Sequence, residues 1–134
     1  MKVLKFGGSS VGTSAALANV KKIVESTPGK KVVVVSALGG VTDLLLSTAV
    51  LAKNDDVAYL EQYARIVERH RVVIDAMVPA ARRQQVETVV RVMLEELANI
   101  YKGVMLLHDL SPRAQNRYDK DPAPAATLSL HVTA

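Results

Sequence analysis

The chain has 134 residues, no cysteine, a formal net charge of +4, and 49% hydrophobic against 22% charged residues. That balance describes a folded soluble domain with its own core, and the lack of cysteine excludes disulfides, thiolate nucleophiles and cysteine-held metals, leaving a cytoplasmic location as the expectation. No apolar run is long enough for a signal peptide or a membrane span. With one Phe and no Trp, the scattered basic residues lack the aromatic interleaving of a nucleic-acid surface, so neither a membrane nor a nucleic acid is expected as a partner.

Val3-Leu4-Lys5-Phe6 is β-prone and stops at Gly7-Gly8, residues that break regular structure and permit unusual backbone angles. After Val11-Gly12, Thr13 or Ser14 can cap a helix whose apolar positions Leu17, Val20, Ile23 and Val24 recur at helical spacing. Pro28-Gly29 closes it. Val32-Val33-Val34-Val35 is an unbroken β-branched run, the pattern of a strand buried on both faces of a parallel sheet. Strand, helix, strand makes a right-handed crossover. Ser36-Ala37-Leu38-Gly39-Gly40 turns out of the second strand, and Thr42 or Asp43 leads into a helix through Leu44, Leu45 and Leu46.

Two longer helical stripes follow. The first carries Leu60, Tyr63, Val67, His70, Ile74 and Met77 and ends at Pro79; the second carries Val86, Val89, Val90, Met93, Leu97, Ile100 and Val104. A short turn containing Pro79 makes them a helical hairpin. The fold class is therefore α/β: a short parallel sheet with a β-α-β start, followed by a long helical hairpin. From Ser111 the residues turn polar and aperiodic, with Pro122 and Pro124, which predicts an extended or disordered tail.

Six of the seven glycines lie in the first forty residues, four of them in Gly7-Gly8 and Gly39-Gly40. Both pairs follow strands, and ligands of open α/β sheets bind outside the carboxyl ends of the strands, so the two turns are expected to be neighbours. Gly7-Gly8-Ser9-Ser10 offers backbone N–H groups and hydroxyls to a phosphate, with Lys5 near enough in sequence to add an ammonium. The spacing matches neither a Walker motif nor a dinucleotide fingerprint, and a tight turn beside a lysine lying along the surface fits it as well. Ser36 and Thr42 bracket the second turn with hydroxyls suited to a small polar substrate, or simply end a strand and cap a helix. His70 lies on an apolar stripe and His108-Asp109 lacks a third ligand at suitable spacing, so no metal site is expected from protein residues.

Together, Lys5-Phe6-Gly7-Gly8-Ser9-Ser10-Val11-Gly12 and Val33-Val34-Val35-Ser36-Ala37-Leu38-Gly39-Gly40-Val41-Thr42-Asp43-Leu44-Leu45 closely resemble the opening of the aspartate kinases within the amino acid kinase family. Enzymes in which an aspartate kinase is fused to homoserine dehydrogenase open in a similar way. The resemblance implies phosphorylation of the side-chain carboxylate of L-aspartate by ATP with Mg2+, toward lysine, threonine and methionine. It implies that Lys5 neutralises charge on the ATP phosphates, that Phe6, Gly7, Gly8 and Ser9 complete the nucleotide site, and that Ser36 and Thr42 contact the amino acid.

The resemblance continues through the hairpin to Arg113, giving a partial amino acid kinase domain over residues 1–113 and a non-family tail over 114–134. Aspartate kinases continue past this point with an acidic Ser-x-Gly-Glu segment, a lobe for adenine and regulatory modules, which this sequence does not show. The expectation is an amino-terminal fragment, inactive alone and inclined to form homo-oligomers through its uncovered apolar surface. Two alternatives remain: another member of the same family, or a non-catalytic α/β fragment that associates with itself.

Overall fold

The structure, a computed structural model, describes residues 1–108; the expected tail over 114–134 lies outside the described residues. Strand β1 (Lys2–Phe6) leads through a 3-10 turn over Gly8–Val11 into helix α1 (Ser14–Ser26), and strand β2 (Lys31–Val35) follows. Three helices then complete the described chain: α2 (Val41–Lys53), α3 (Ala58–Met77) and α4 (Ala80–Leu107).

β1 and β2 pair in parallel, with Leu4 opposite Val33, Lys5 opposite Val34 and Phe6 opposite Val35. Strand alternation places Leu4, Phe6 and Val35 toward α1, where Phe6, Val11 and Val20 form a small core with Leu4, Leu17, Val24 and Val35 against it. Thr13 is the cap of α1, its hydroxyl accepting the Ala16 amide at 3.1 Å. At the other end of α1 the Lys31 ammonium donates to the carbonyls of Val24 and Thr27, where a cation meets the negative end of the helix dipole.

The expectation of a second strand buried on both faces is corrected here. Val32 and Val34 are 43% and 46% exposed, because α1 covers one face of the two-stranded sheet while α2, α3 and α4 pack chiefly on one another. That second core holds Ala49, Ala52, Tyr59, Ile66, Tyr101 and Val104. The Tyr63 hydroxyl donates to the Leu94 carbonyl at 2.8 Å and the Tyr101 hydroxyl to the Leu45 carbonyl at 3.0 Å, with the two rings edge to face at 6.4 Å. Each tyrosine thereby buries a ring and satisfies its polar end.

The hairpin of α3 and α4 forms as expected, with Ile74 and Val104 of the expected stripes buried, but the stripes differ at single positions. Leu60 is 55% exposed while Tyr59 and Ile66 are buried, and Tyr101 rather than Ile100 is the fully covered residue of α4. α2 also starts differently: its cap is Gly40, and Thr42 and Asp43 are exposed residues of the first turn. α3 is closed by Arg83, whose guanidinium donates to the carbonyls of Asp75 at 3.2 Å and Val78 at 3.3 Å. No helix among the described residues is long and apolar enough to cross a membrane.

Candidate functional site

The two glycine-bearing loops meet at the carboxyl ends of the parallel strands. The Ser36 amide donates to the Phe6 carbonyl at 3.0 Å, extending the strand pairing by one bond, so both chains leave the sheet side by side. The first loop then tightens: the Ser10 amide bonds the Gly7 carbonyl at 3.0 Å. The second forms a turn over residues 38–41, with the Val41 amide bonding the Leu38 carbonyl at 3.0 Å and Gly40 at φ 78°, ψ −8°. Those angles at the third residue are the signature of a type II turn and select glycine. Gly39 presses against the first loop so closely that a Cβ there would lie 2.8 Å from the Gly12 Cα and 3.3 Å from the Gly8 carbonyl oxygen.

Arg69 of α3 joins both loops. Its Nη2 donates to the Gly12 carbonyl and, at 3.2 Å, to the Gly39 carbonyl. Beside this junction an open cleft of about 540 Å³ is lined by residues 39–41 of the second loop, by Asp43, Leu44 and Ser47 of α2, and by Gln62, Arg65 and Arg69 of α3. Gln62 holds the helices together, its Oε1 accepting from the hydroxyls of Ser47 at 2.8 Å and Thr48 at 3.2 Å. The cleft wall therefore carries two guanidinium groups, one carboxylate and several amide or hydroxyl groups, a mixture able to orient a small polar or anionic ligand.

The residues expected at the site occupy distinct positions. Lys5 is exposed and, by strand alternation, shares with Val3 the face of β1 turned away from α1. Phe6 is buried in the small core, so its side chain faces away from any ligand on the loops. Gly7 and Gly8 are half-buried with open space where a Cβ would stand, and Ser9 is exposed. Ser36 and Thr42 are exposed on either side of the second turn. None of these residues lines the cleft beside Arg69. Sequence reasoning missed Arg69, Gln62 and Arg65, and it left Gly12 and Gly39 outside the site; the doubled glycine motif was the one signal that pointed at the junction.

The histidines have structural partners. His70 Nδ1 donates to the Ile66 carbonyl at 2.7 Å, a bond that fixes the proton on that nitrogen, and His108 Nδ1 lies 3.0 Å from the Lys53 carbonyl. Among the described residues no group of three His, Asp or Glu stands ready to hold a metal ion.

The model of the amino acid kinase family matches residues 1–121. The chain belongs to the amino acid kinase family. Within that family its relatives include chloroplastic aspartokinase 3 of Arabidopsis thaliana, 34% identical over 119 residues, 85% of this chain and 20% of that protein. Aspartokinase 3 of Bacillus subtilis (strain 168) is 52% identical over 56 residues, 37% of this chain and 12% of that protein. A chloroplastic bifunctional aspartokinase/homoserine dehydrogenase 2 of Arabidopsis thaliana is 38% identical over 71 residues, 52% of this chain and 8% of that protein. This amino acid kinase family chain thus spans a fifth or less of the length of these relatives.

Proposed function

We propose that this chain is the part of an aspartate kinase that receives the triphosphate of ATP on its first loop and L-aspartate on its second. The observation that supports this most directly is the meeting of the two loops, Gly39 against Gly12 and Gly8, at the ends of adjacent parallel strands. A phosphoryl donor and its acceptor have to be brought within van der Waals contact in line, and two touching loops provide that closeness.

In this reading the aspartate side-chain carboxylate attacks the γ-phosphorus of ATP. A new P–O bond forms to the carboxylate oxygen, the bond from the γ-phosphorus to the β–γ bridging oxygen breaks, and ADP leaves with that electron pair, giving 4-phospho-L-aspartate. Lys5 offsets charge on the phosphates; Gly7, Gly8 and Ser9 offer N–H groups and a hydroxyl to them; Ser36 and Thr42 orient the amino acid. Mg2+ supplies further neutralisation of phosphate charge when bound. The first loop, Gly7 to Gly12, offers backbone groups and hydroxyls but no carboxylate, a donor set that fits an ion held mainly by the nucleotide's own oxygens rather than by a protein cage.

The isolated chain is expected to bind weakly and not to turn over. Titration of the 15N-labelled chain with Mg2+ and a non-hydrolysable ATP analogue should shift the amides of Gly7, Gly8 and Ser9, and L-aspartate those of Ser36 and Thr42, while an ADP-release assay stays flat. Shifts confined to other residues for both ligands, or none at all, would remove the assignment. Exposed Val3, Val32 and Val34 favour a second, non-catalytic reading, a chain that self-associates through its sheet. Concentration-dependent sedimentation without any ligand shift would favour that reading.

A further inference from the structure

We propose that Arg69 is a positioning residue that fastens the two loops into one unit, so that the half-site for phosphate and the half-site for amino acid cannot move independently. Naming the two ligands rests on the function proposed above; the mechanical claim does not.

The geometry is specific. One terminal nitrogen, Nη2, carries two N–H groups and spends one on the Gly12 carbonyl and the other on the Gly39 carbonyl. Those carbonyls lie 57 and 30 residues from Arg69 in sequence, and they belong to different loops. Steric contact alone, Gly39 on Gly12, stops the loops from approaching further but does nothing to stop them parting. The two charge-assisted bonds supply that missing restraint. They are part-buried, where a carbonyl that loses its donor is not fully compensated by water. The anchor itself is stiff, since Arg69 stands on α3 between buried Ile66 and Ile74. A phosphoryl transfer that depends on the separation of donor and acceptor is sensitive to displacements of about 1 Å.

Arg71, exposed on the same helix and paired with Glu68 and Asp75, gives the control for loss of a guanidinium from α3. The test is amide hydrogen exchange by NMR on the whole 134-residue chain. The Ser10 amide, bonded to Gly7, reports the first loop and the Val41 amide, bonded to Leu38, the second. The helical amides of Ile66 and Tyr101 report the core. Arg69→Met should speed exchange at Ser10 and Val41 together by about ten- to a hundredfold, with Ile66 and Tyr101 unchanged. Arg69→Lys, which keeps the charge on a shorter, non-planar head, should restore part of the protection, and Arg71→Met should change neither loop. If Arg69→Met does not fold, Arg69→Lys carries the test, with a smaller joint rise expected at the same two amides. The proposal is overturned if one loop responds without the other, if neither does, or if the core amides accelerate equally. A wild-type chain that binds no nucleotide would count against the proposed function, while the exchange comparison still decides the role of Arg69.

Discussion

Gly39→Ala should separate the two loops and cost stability. The added Cβ would stand 2.8 Å from the Gly12 Cα and 3.3 Å from the Gly8 carbonyl oxygen, whereas carbon atoms in ordinary contact sit about 3.5–4.0 Å apart. Both neighbours are backbone, so the loops have to part by roughly 0.7–1.2 Å, and the Arg69 bond to Gly39, already 3.2 Å, lengthens with them. Overpacking of this kind costs about 1–3 kcal/mol. At roughly 3–6 °C per kcal/mol for a chain of this size, the melting temperature falls by several degrees. Gly40→Ala gives the comparison: nothing lies within 4 Å of its Cβ, but its φ of 78° is left-handed, so the expected loss is about 1 kcal/mol from backbone strain alone. Gly7→Ala meets open space at negative φ and should be close to neutral in the fold. Urea unfolding of the three variants decides the matter. If Gly39→Ala is as stable as Gly7→Ala, the loops are not in the contact described and the shared site has no structural basis.

Three further outcomes follow from the packing. Ile66→Ala, at a position with no solvent exposure in the α2–α3–α4 core, should cost about 2–5 kcal/mol by denaturant unfolding; a loss under 1 kcal/mol would show that the core is not closed there. Thr13→Ala removes the hydroxyl that accepts the Ala16 amide and should cost about 1 kcal/mol, while Ser14→Ala, just inside the helix, should cost less. Burial, then the charge of Glu95, raises the Tyr63 pKa above its ordinary 10.0. The unfolded chain then loses this proton first, so the contribution of Tyr63 is complete below the unfolded value and is lost as pH rises through the folded one. The difference in unfolding free energy between wild type and Tyr63→Phe should shrink across that alkaline window, and a difference constant up to pH about 12 would contradict it.

The elements most legible in the sequence were those set by local rules. Thr13 or Ser14 before an apolar periodic run predicts a capped helix, Pro79 between two stripes predicts the hairpin, and Gly39-Gly40 after a β-branched run predicts a turn; each element appears where its local chemistry requires, with Thr13 as the cap. What local rules could not supply was which face of an element finds a partner. Val32 to Val35 read as doubly buried because a run of valines carries no information on how many layers will cover it, and here α1 covers one face. The α3 stripe was misplaced by one residue in its first turn, since Leu60 is the more apolar choice while Tyr59, with a hydroxyl to place, is the residue that packs. Arg69 was invisible for a stronger reason. Its side chain acts on carbonyls 57 and 30 residues away, and a carbonyl is common to every residue, so no sequence pattern marks the acceptor. The glycines show where two backbones can touch; only the fold shows which cation keeps them there, and removing that cation should let the two half-sites drift apart even with both glycine pairs intact.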